Sequence, residues 1–203
     1  MSAPLRYAVI GDSYSCGEGA TLEESWPVLL ARRLTKSGIP VEVISNPSRT
    51  GWTTQDAIEQ ELPLFRAARP GFGTLMLGAN DWVQGVEAEV FSARMAHLMD
   101  EMLRVLPNDK RLLVINIPDF SVAPDGPTYA RGRDIRTGLA RFNRIIDEEA
   151  KKRGLPVVDI FPLSQEVSSD ISLVAADGLH PSAKAYAQWE ELIFPEACDL
   201  LQP

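Results

Sequence analysis

Cysteine and histidine are both scarce in this chain. The two cysteines, Cys16 and Cys198, among 203 residues make neither a disulfide framework nor a metal set. The two histidines, His97 and His180, fall short of the several nitrogen or sulfur ligands that a zinc site gathers. No metal is expected. Basic side chains are in deficit, with 20 Lys and Arg against 28 Asp and Glu and a formal net charge of −8. That balance excludes a protein living on nucleic-acid phosphates or anionic lipid, which needs clustered cations. No apolar run approaches the ~20 residues that span a bilayer, so no membrane insertion is expected. Neither Gly-x-x-x-x-Gly-Lys-Ser/Thr nor Gly-x-Gly-x-x-Gly occurs, which removes the usual phosphate-cradling loops. The opening Met1-Ser2-Ala3-Pro4 leads at once into a short apolar run with no small-residue cleavage site after it. The proline of Asn46-Pro47-Ser48 disqualifies an N-glycosylation acceptor. Together these features lead us to expect a cytoplasmic protein.

What the chain does contain is alternation. Short apolar runs at 5–10, 41–45, 74–77, 111–117 and 156–159 read as buried strands. Between them, residues 26–37, 54–69, 86–106 and 135–153 carry apolar side chains at three- and four-residue spacing. In 86–106 the stripe is Phe91, Met95, Leu98, Met102 and Val105, and 182–194 closes the chain as a last helix. No linker, repeat or low-complexity tract interrupts the pattern, so residues 1–203 are expected to form one domain. Strands alternating with helices imply right-handed βαβ units. The fold class is therefore α/β, a three-layer α/β/α sandwich. A five-stranded parallel sheet in the flavodoxin-like order 2-1-3-4-5 is expected.

Ligands of such sheets bind beyond the carboxyl ends of the strands. The loops to inspect are thus 11–24, 46–51, 78–84, 118–132 and 160–181. The first reads Gly11-Asp12-Ser13-Tyr14-Ser15-Cys16-Gly17-Glu18-Gly19, where flanking glycines permit a sharp turn around a hydroxyl. Ser13 is a nucleophile if a base reaches it, and an N-cap or turn residue if none does. Of the histidines, His97 falls three residues after Arg94 and four before Glu101, on a solvated helix face. His180 follows the last strand, in Asp177-Gly178-Leu179-His180-Pro181. One imidazole suffices for a general base near neutral pH. Asp177, three residues earlier, can orient it through the other ring nitrogen. Asp119 and Asp159 are rival acids at strand ends. The predicted strand order flanks strand 1 with the loops after strands 2 and 3. Gly51 can present a bare backbone N–H and Asn80 a carboxamide to an oxygen held at Ser13, with the Ser13 N–H as a third donor. Trp52, Trp82, Val83 and Phe120 are candidate substrate-contacting residues, and residues 118–132, with Phe120 and Tyr129, a candidate rim.

These blocks together resemble the SGNH (GDSL-type) serine hydrolases. Gly11-Asp12-Ser13 is similar to their nucleophile block, Gly51 to their oxyanion glycine, Gly78-Ala79-Asn80-Asp81 to their asparagine block and Asp177-Gly178-Leu179-His180 to their acid–base block. All four stand in family order. Tyr14 replaces the leucine of the family name, and Asn46–Thr50 lacks an additional glycine often found there. The resemblance implies ester hydrolysis through an acyl-enzyme on Ser13, with no metal and no organic cofactor. Small, short-chain acyl esters are the expected substrates. Thioesterase, lysophospholipase or carbohydrate deacetylase activity from the same site is the alternative within the class, and a non-catalytic binding module is the alternative outside it.

Overall fold

The computed structural model describes residues 3–107 and 111–202; the reading of the opening residues lies partly outside that span. Continuous runs of Val, Ile, Leu and Tyr need cover on both faces, and a parallel sheet between helical layers supplies it. In chain order the first half comprises β1 (Leu5–Gly11), α1 (Ser13–Cys16), α2 (Trp26–Lys36), β2 (Val41–Ser45), α3 (Thr54–Asp56), α4 (Leu62–Ala68) and β3 (Phe72–Met76). The second half comprises α5 (Ala79–Gln84), α6 (Ala88–Val105), β4 (Leu112–Ile115), α7 (Ile135–Arg153), β5 (Val157–Val158), α8 (Phe161–Ser164) and α9 (Ala183–Leu201). Five strands form one sheet in the order β2-β1-β3-β4-β5, every neighbouring pair parallel. Helices α2 and α9 pack together on one face, while α4, α6 and α7 cover the other. The layering and strand order are those expected from the alternation of runs.

Burial follows the periodicity. Phe91, Met95, Leu98 and Met102 of α6 are fully buried, with Val105 packed at the edge of the same core. His97 lies on the exposed side of that helix. Tyr7 of β1 and Thr74 of β3 satisfy each other's hydroxyls at 2.8 Å inside the sheet.

Among the departures from the predicted elements, three stand out. β3 starts at Phe72, two residues before the predicted run, because Gly73 belongs to the strand. A Cβ there would lie 2.9 Å from the Phe65 ring, so the glycine admits close packing of α4 on the sheet. The last helix continues through Pro195 to Leu201 rather than stopping at Phe194. Proline sacrifices one helical hydrogen bond, but Ala197 and Leu201 beyond it are buried and keep the segment docked. The third departure is a single π-helical turn, Ala57–Glu61, between α3 and α4, in which the Leu62 N–H bonds to the Ala57 carbonyl. Arg69, with φ of 46°, caps α4 from outside the helix.

Gly73→Ala should force the Phe65 ring aside and destabilise the fold by about 1–3 kcal/mol, as overpacked cores do. Urea denaturation should show a lower midpoint at an unchanged slope.

Candidate active site

All five predicted loops lie beyond the carboxyl ends of the strands, and hydrogen bonds tie them together. Asp12 caps α1 by accepting from the Tyr14 N–H at 3.1 Å. Ser13 is therefore the first residue of a helical turn, where a backbone N–H has no intrahelical acceptor. Ser13 is almost fully buried. The second loop extends the β2–β1 pairing through an isolated bridge between Arg49 and Asp12. It then turns, with the Trp52 N–H bonded to the Arg49 carbonyl at 3.2 Å. Gly51 has a φ of 84°, the positive angle that a type II turn requires at its third residue.

The third loop is pinned to the second. Asn80 Nδ2 donates to the Trp52 carbonyl at 3.0 Å and to Asp12 Oδ2 at 3.2 Å. Buried Asp81 accepts from the N–H and hydroxyl of Thr54 at 2.9 and 2.5 Å. Asn80 thus stands between the Ser13 turn and the Gly51 loop, its carboxamide held by both. Burial pushes the Asp12 pKa up to about 7; the Tyr14 N–H lowers it, nearby Asp81 raises it, and Asn80 lowers it again. The sequence reading had quoted Asp12 within its motif without assigning it this cap or this hold on Asn80.

The last loop brings the imidazole. His180 Nδ1 and Asp177 Oδ2 are 2.6 Å apart. Asp177 Oδ1 accepts from the backbone N–H groups of Leu179 and His180, both at 2.9 Å. Partial burial alone would raise the Asp177 pKa. The bonds from the Leu179 N–H, the His180 ring and the His180 N–H outweigh it and hold the carboxyl below its ordinary value. An ionised Asp177 accepts a hydrogen bond from Nδ1–H, which leaves the Nε2 lone pair as the basic position of the ring. The rival acids are engaged elsewhere. Asp119 bonds Arg136, Gln165 and Ser121, and Asp159 bonds Asn116 and the Phe161 N–H.

Two contacts bring the nucleophile turn and the histidine turn together. The Tyr186 hydroxyl donates to the Glu18 carbonyl at 2.8 Å. Gly19, with φ of 90°, packs so closely that a Cβ would lie 2.7 Å from the Pro181 carbonyl and 3.2 Å from His180 Cβ. Tyr14 sets its ring edge-on to both His180 and Trp189. A cleft results, bordered by Ser13 and Tyr14 from the first loop, Asn80 and Val83 from the third, Phe120 and Tyr129 from the fourth, and Leu179 and His180 from the fifth. Among the described residues no hydrogen bond joins Ser13 to His180 directly. Such bonds are often long in unliganded sites and tighten in the complex.

The four candidate substrate contacts divide. Val83 and Phe120 border the cleft; Trp52 and Trp82 do not. Trp82 is buried, with the Arg133 guanidinium 4.1 Å above its ring and Phe120 at its edge. It therefore supports the cleft wall from behind. Trp52 carries Arg49 over its ring and offers Asn80 its carbonyl. Leu179 lines the cleft although the sequence reading gave it no role; its place inside the acid–base block was the available signal. Burial raises the Cys16 thiol pKa, and its Sγ contacts the Ser13 carbonyl at 3.4 Å, so the thiolate is disfavoured. No group of three or more His, Cys, Asp or Glu side chains among the described residues is placed to hold a metal, and no described helix is long and apolar enough to cross a membrane.

A sequence model of the GDSL-like lipase/acylhydrolase family matches residues 9–188, and the chain belongs to that family. It is a carboxylic ester hydrolase. Its sequence is similar to an arylesterase of Vibrio mimicus, 26% identical over 195 residues, covering 96% of this chain and 88% of the relative. It is also similar to an isoamyl acetate-hydrolyzing esterase 1 homolog of Mus musculus, 27% identical over 218 residues and covering 97% and 81%. Its fold is similar to the crystal structure of TesA, with a TM-score of 0.77 at 24% identity over 97% of this chain and 99% of that one. An acetylxylan esterase from Geobacillus stearothermophilus shares the fold with a TM-score of 0.75 at 18% identity, covering 97% and 95%.

Gly19→Ala should strain the backbone and push the His180 turn away from Ser13. Ester turnover should fall on the order of 10-fold or more, with a lowered Tm. Retained turnover in a folded variant would contradict the close approach. Because the folded-state pKa of Asp177 is depressed, its contribution to stability is complete above its ordinary carboxylate value of 3.8 and is lost on acidification through the folded value. Asp177→Asn should remove that part of the acid sensitivity, measured as urea stability at neutral and acidic pH.

Proposed function

We propose that the protein is a serine esterase that hydrolyses small, short-chain acyl esters through an acyl-enzyme on Ser13. The observation that carries this reading is the Asp177–His180 pair at 2.6 Å, bordering the same cleft as Ser13 and Asn80. His180 Nε2 takes the Ser13 proton as the hydroxyl attacks the acyl carbonyl, then gives it to the departing alkoxide. Asp177 holds the tautomer and stabilises the imidazolium. Water, activated by the same imidazole, attacks the acyl-enzyme and restores Ser13 while the carboxylic acid leaves.

Charge on the tetrahedral oxygen falls to the backbone amides of Ser13 and Gly51 and to Asn80 Nδ2. Asn80 already donates to two acceptors, so one of these bonds is shared or exchanged as the oxyanion forms. The two backbone amides, by contrast, are fixed and need little reorganisation at the moment of reaction. Substrate size follows from the walls. Val83, Phe120, Tyr129 and Leu179 border the cleft beside Ser13, and a short acyl group lies against these apolar side chains beside its carbonyl. The arylesterase and the isoamyl acetate-hydrolyzing homolog among the relatives agree with small esters as substrates.

The test is a series of aryl esters from acetyl to long-chain acyl, run beside acyl-CoA, lysolipid and acetylated sugars. Acetyl and butyryl esters should be the fastest substrates; a steep preference for long chains, thioesters or sugar acetates would overturn the substrate assignment. Ser13→Ala should abolish both turnover and labelling by an organophosphonate. Asn80→Ala should lower kcat on the order of 10²–10³-fold, and near-normal turnover would reject its role as an oxyanion donor.

A further inference from the structure

Glu61 takes no part in the scheme above, yet it is fully buried directly beneath the nucleophile turn. It ends the π-helical turn Ala57–Glu61, a local widening that departs from the regular helix on either side and often marks functional positions. Its Oε2 accepts the Gly11 N–H at 3.0 Å, and Gly11 is the last residue of β1 before Asp12-Ser13. The hydroxyl of Ser48 lies close enough to the carboxyl to lower its pKa. Ser48 directly precedes Arg49, the residue that bridges to Asp12 and opens the Gly51 turn. Glu61 therefore sits where the nucleophile strand and the Gly51 loop meet.

The surroundings do not suit an anion. The charged groups that act on Glu61 are Asp12 at the end of β1 and Asp56 on its own helical segment, both acidic. No salt bridge reaches Glu61 among the described residues. Its Oε1 and the Ser48 Oγ are both buried without a formed hydrogen bond, an expensive state unless a proton links them. The Ser48 hydroxyl can donate to the carboxyl oxygen, and a neutral carboxylic acid can also donate in return. Burial, joined by the nearby Asp12 charge, pushes the Glu61 pKa up to about 8 against the pull of the Gly11 N–H and Ser48.

We propose that Glu61 is a positioning residue of the esterase: a buried carboxyl that accepts from the Gly11 amide, shares a hydrogen bond with the Ser48 hydroxyl, and so fixes the nucleophile turn against the loop carrying Gly51. The proposal rests on Ser13 as nucleophile and Gly51 as oxyanion donor. Side-chain geometry at Ser13 then depends on a residue that touches no substrate. Small displacements of reacting groups are costly, reaching about 10²-fold for roughly 1 Å.

The test compares Glu61→Gln, Glu61→Leu and Ser48→Ala in short-chain ester hydrolysis and in urea unfolding. Glutamine supplies the same acceptor and a donor, so Glu61→Gln should keep kcat close to that of the parent. Glu61→Leu should lose kcat on the order of 10–10²-fold with little change in KM. Ser48→Ala removes only the second partner and should lower kcat to a smaller extent, which keeps the test decisive if Glu61→Leu fails to fold. The raised folded-state pKa also fixes a sign. The neutral acid's advantage is complete below its ordinary value of 4.5 and is lost as pH rises to about 8. Glu61→Gln should therefore gain stability relative to the parent across that window. Normal kcat in folded Glu61→Leu, or Glu61→Gln as damaged as Glu61→Leu, would overturn the inference. So would a stability difference that does not change with pH. If Ser13→Ala retained activity, the parent reading would fail instead, a result distinct from normal kcat in Glu61→Leu of an enzyme that Ser13→Ala inactivates.

Discussion

The close approach of the Gly17–Gly19 backbone to the turn at His180–Pro181 is the constraint on which the site depends. Some 160 residues separate these segments in the chain, and each is held by its own sheet strand and helix. Gly19 meets the Pro181 carbonyl at a separation that no side chain tolerates, and Tyr186 at the start of α9 ties its hydroxyl to Glu18. The docking of α9 against α2 therefore sets the position of the imidazole relative to the serine. A rigid helical layer supplies the positional accuracy that a loop alone would lack.

Around that junction the polar groups are arranged so that each loop is held by another. Asp12 caps α1 and accepts from Asn80. Asn80 donates to Trp52, and Asp81 holds Thr54. Two buried carboxyls near Ser13, Asp12 and Glu61, have raised pKa values because burial disfavours their charge. Asp177 is the counterexample within the same site. It is partly exposed and receives three hydrogen bonds, so it stays ionised beside the histidine. Carboxyl groups of one site thus differ in how readily they ionise, and environment decides which.

Much of the architecture was legible because periodicity reports burial. The stripe from Phe91 to Met102 announced a core-facing helix, and the continuous apolar runs announced a two-sided sheet. Legibility failed where a local rule was outweighed by packing. Gly73 reads as a strand breaker, yet it sits in β3 to admit the Phe65 ring. Pro195 reads as a helix stop, yet Ala197 and Leu201 draw the helix onward into the core. Glu61 falls on the same four-residue spacing as Ala57 and Phe65, a charged residue on a buried stripe. That mismatch was visible in the chain, but its partner Gly11, fifty positions away, was not.

The chain by itself determined the alternation of strands and helices, the ordered set of chemical blocks from Gly11 to His180, and the family to which they correspond. Those are consequences of residue type and short-range spacing, which act without regard to distant neighbours. Only the tertiary structure decided which aromatic rings border the cleft, which acid accompanies the histidine, and which carboxyls lie beneath the Ser13 turn. Trp82 faces Arg133 rather than the cleft, and Asp119 is committed to Arg136. Side-chain direction and desolvation are properties of the packed state, because they depend on what remote segments place alongside.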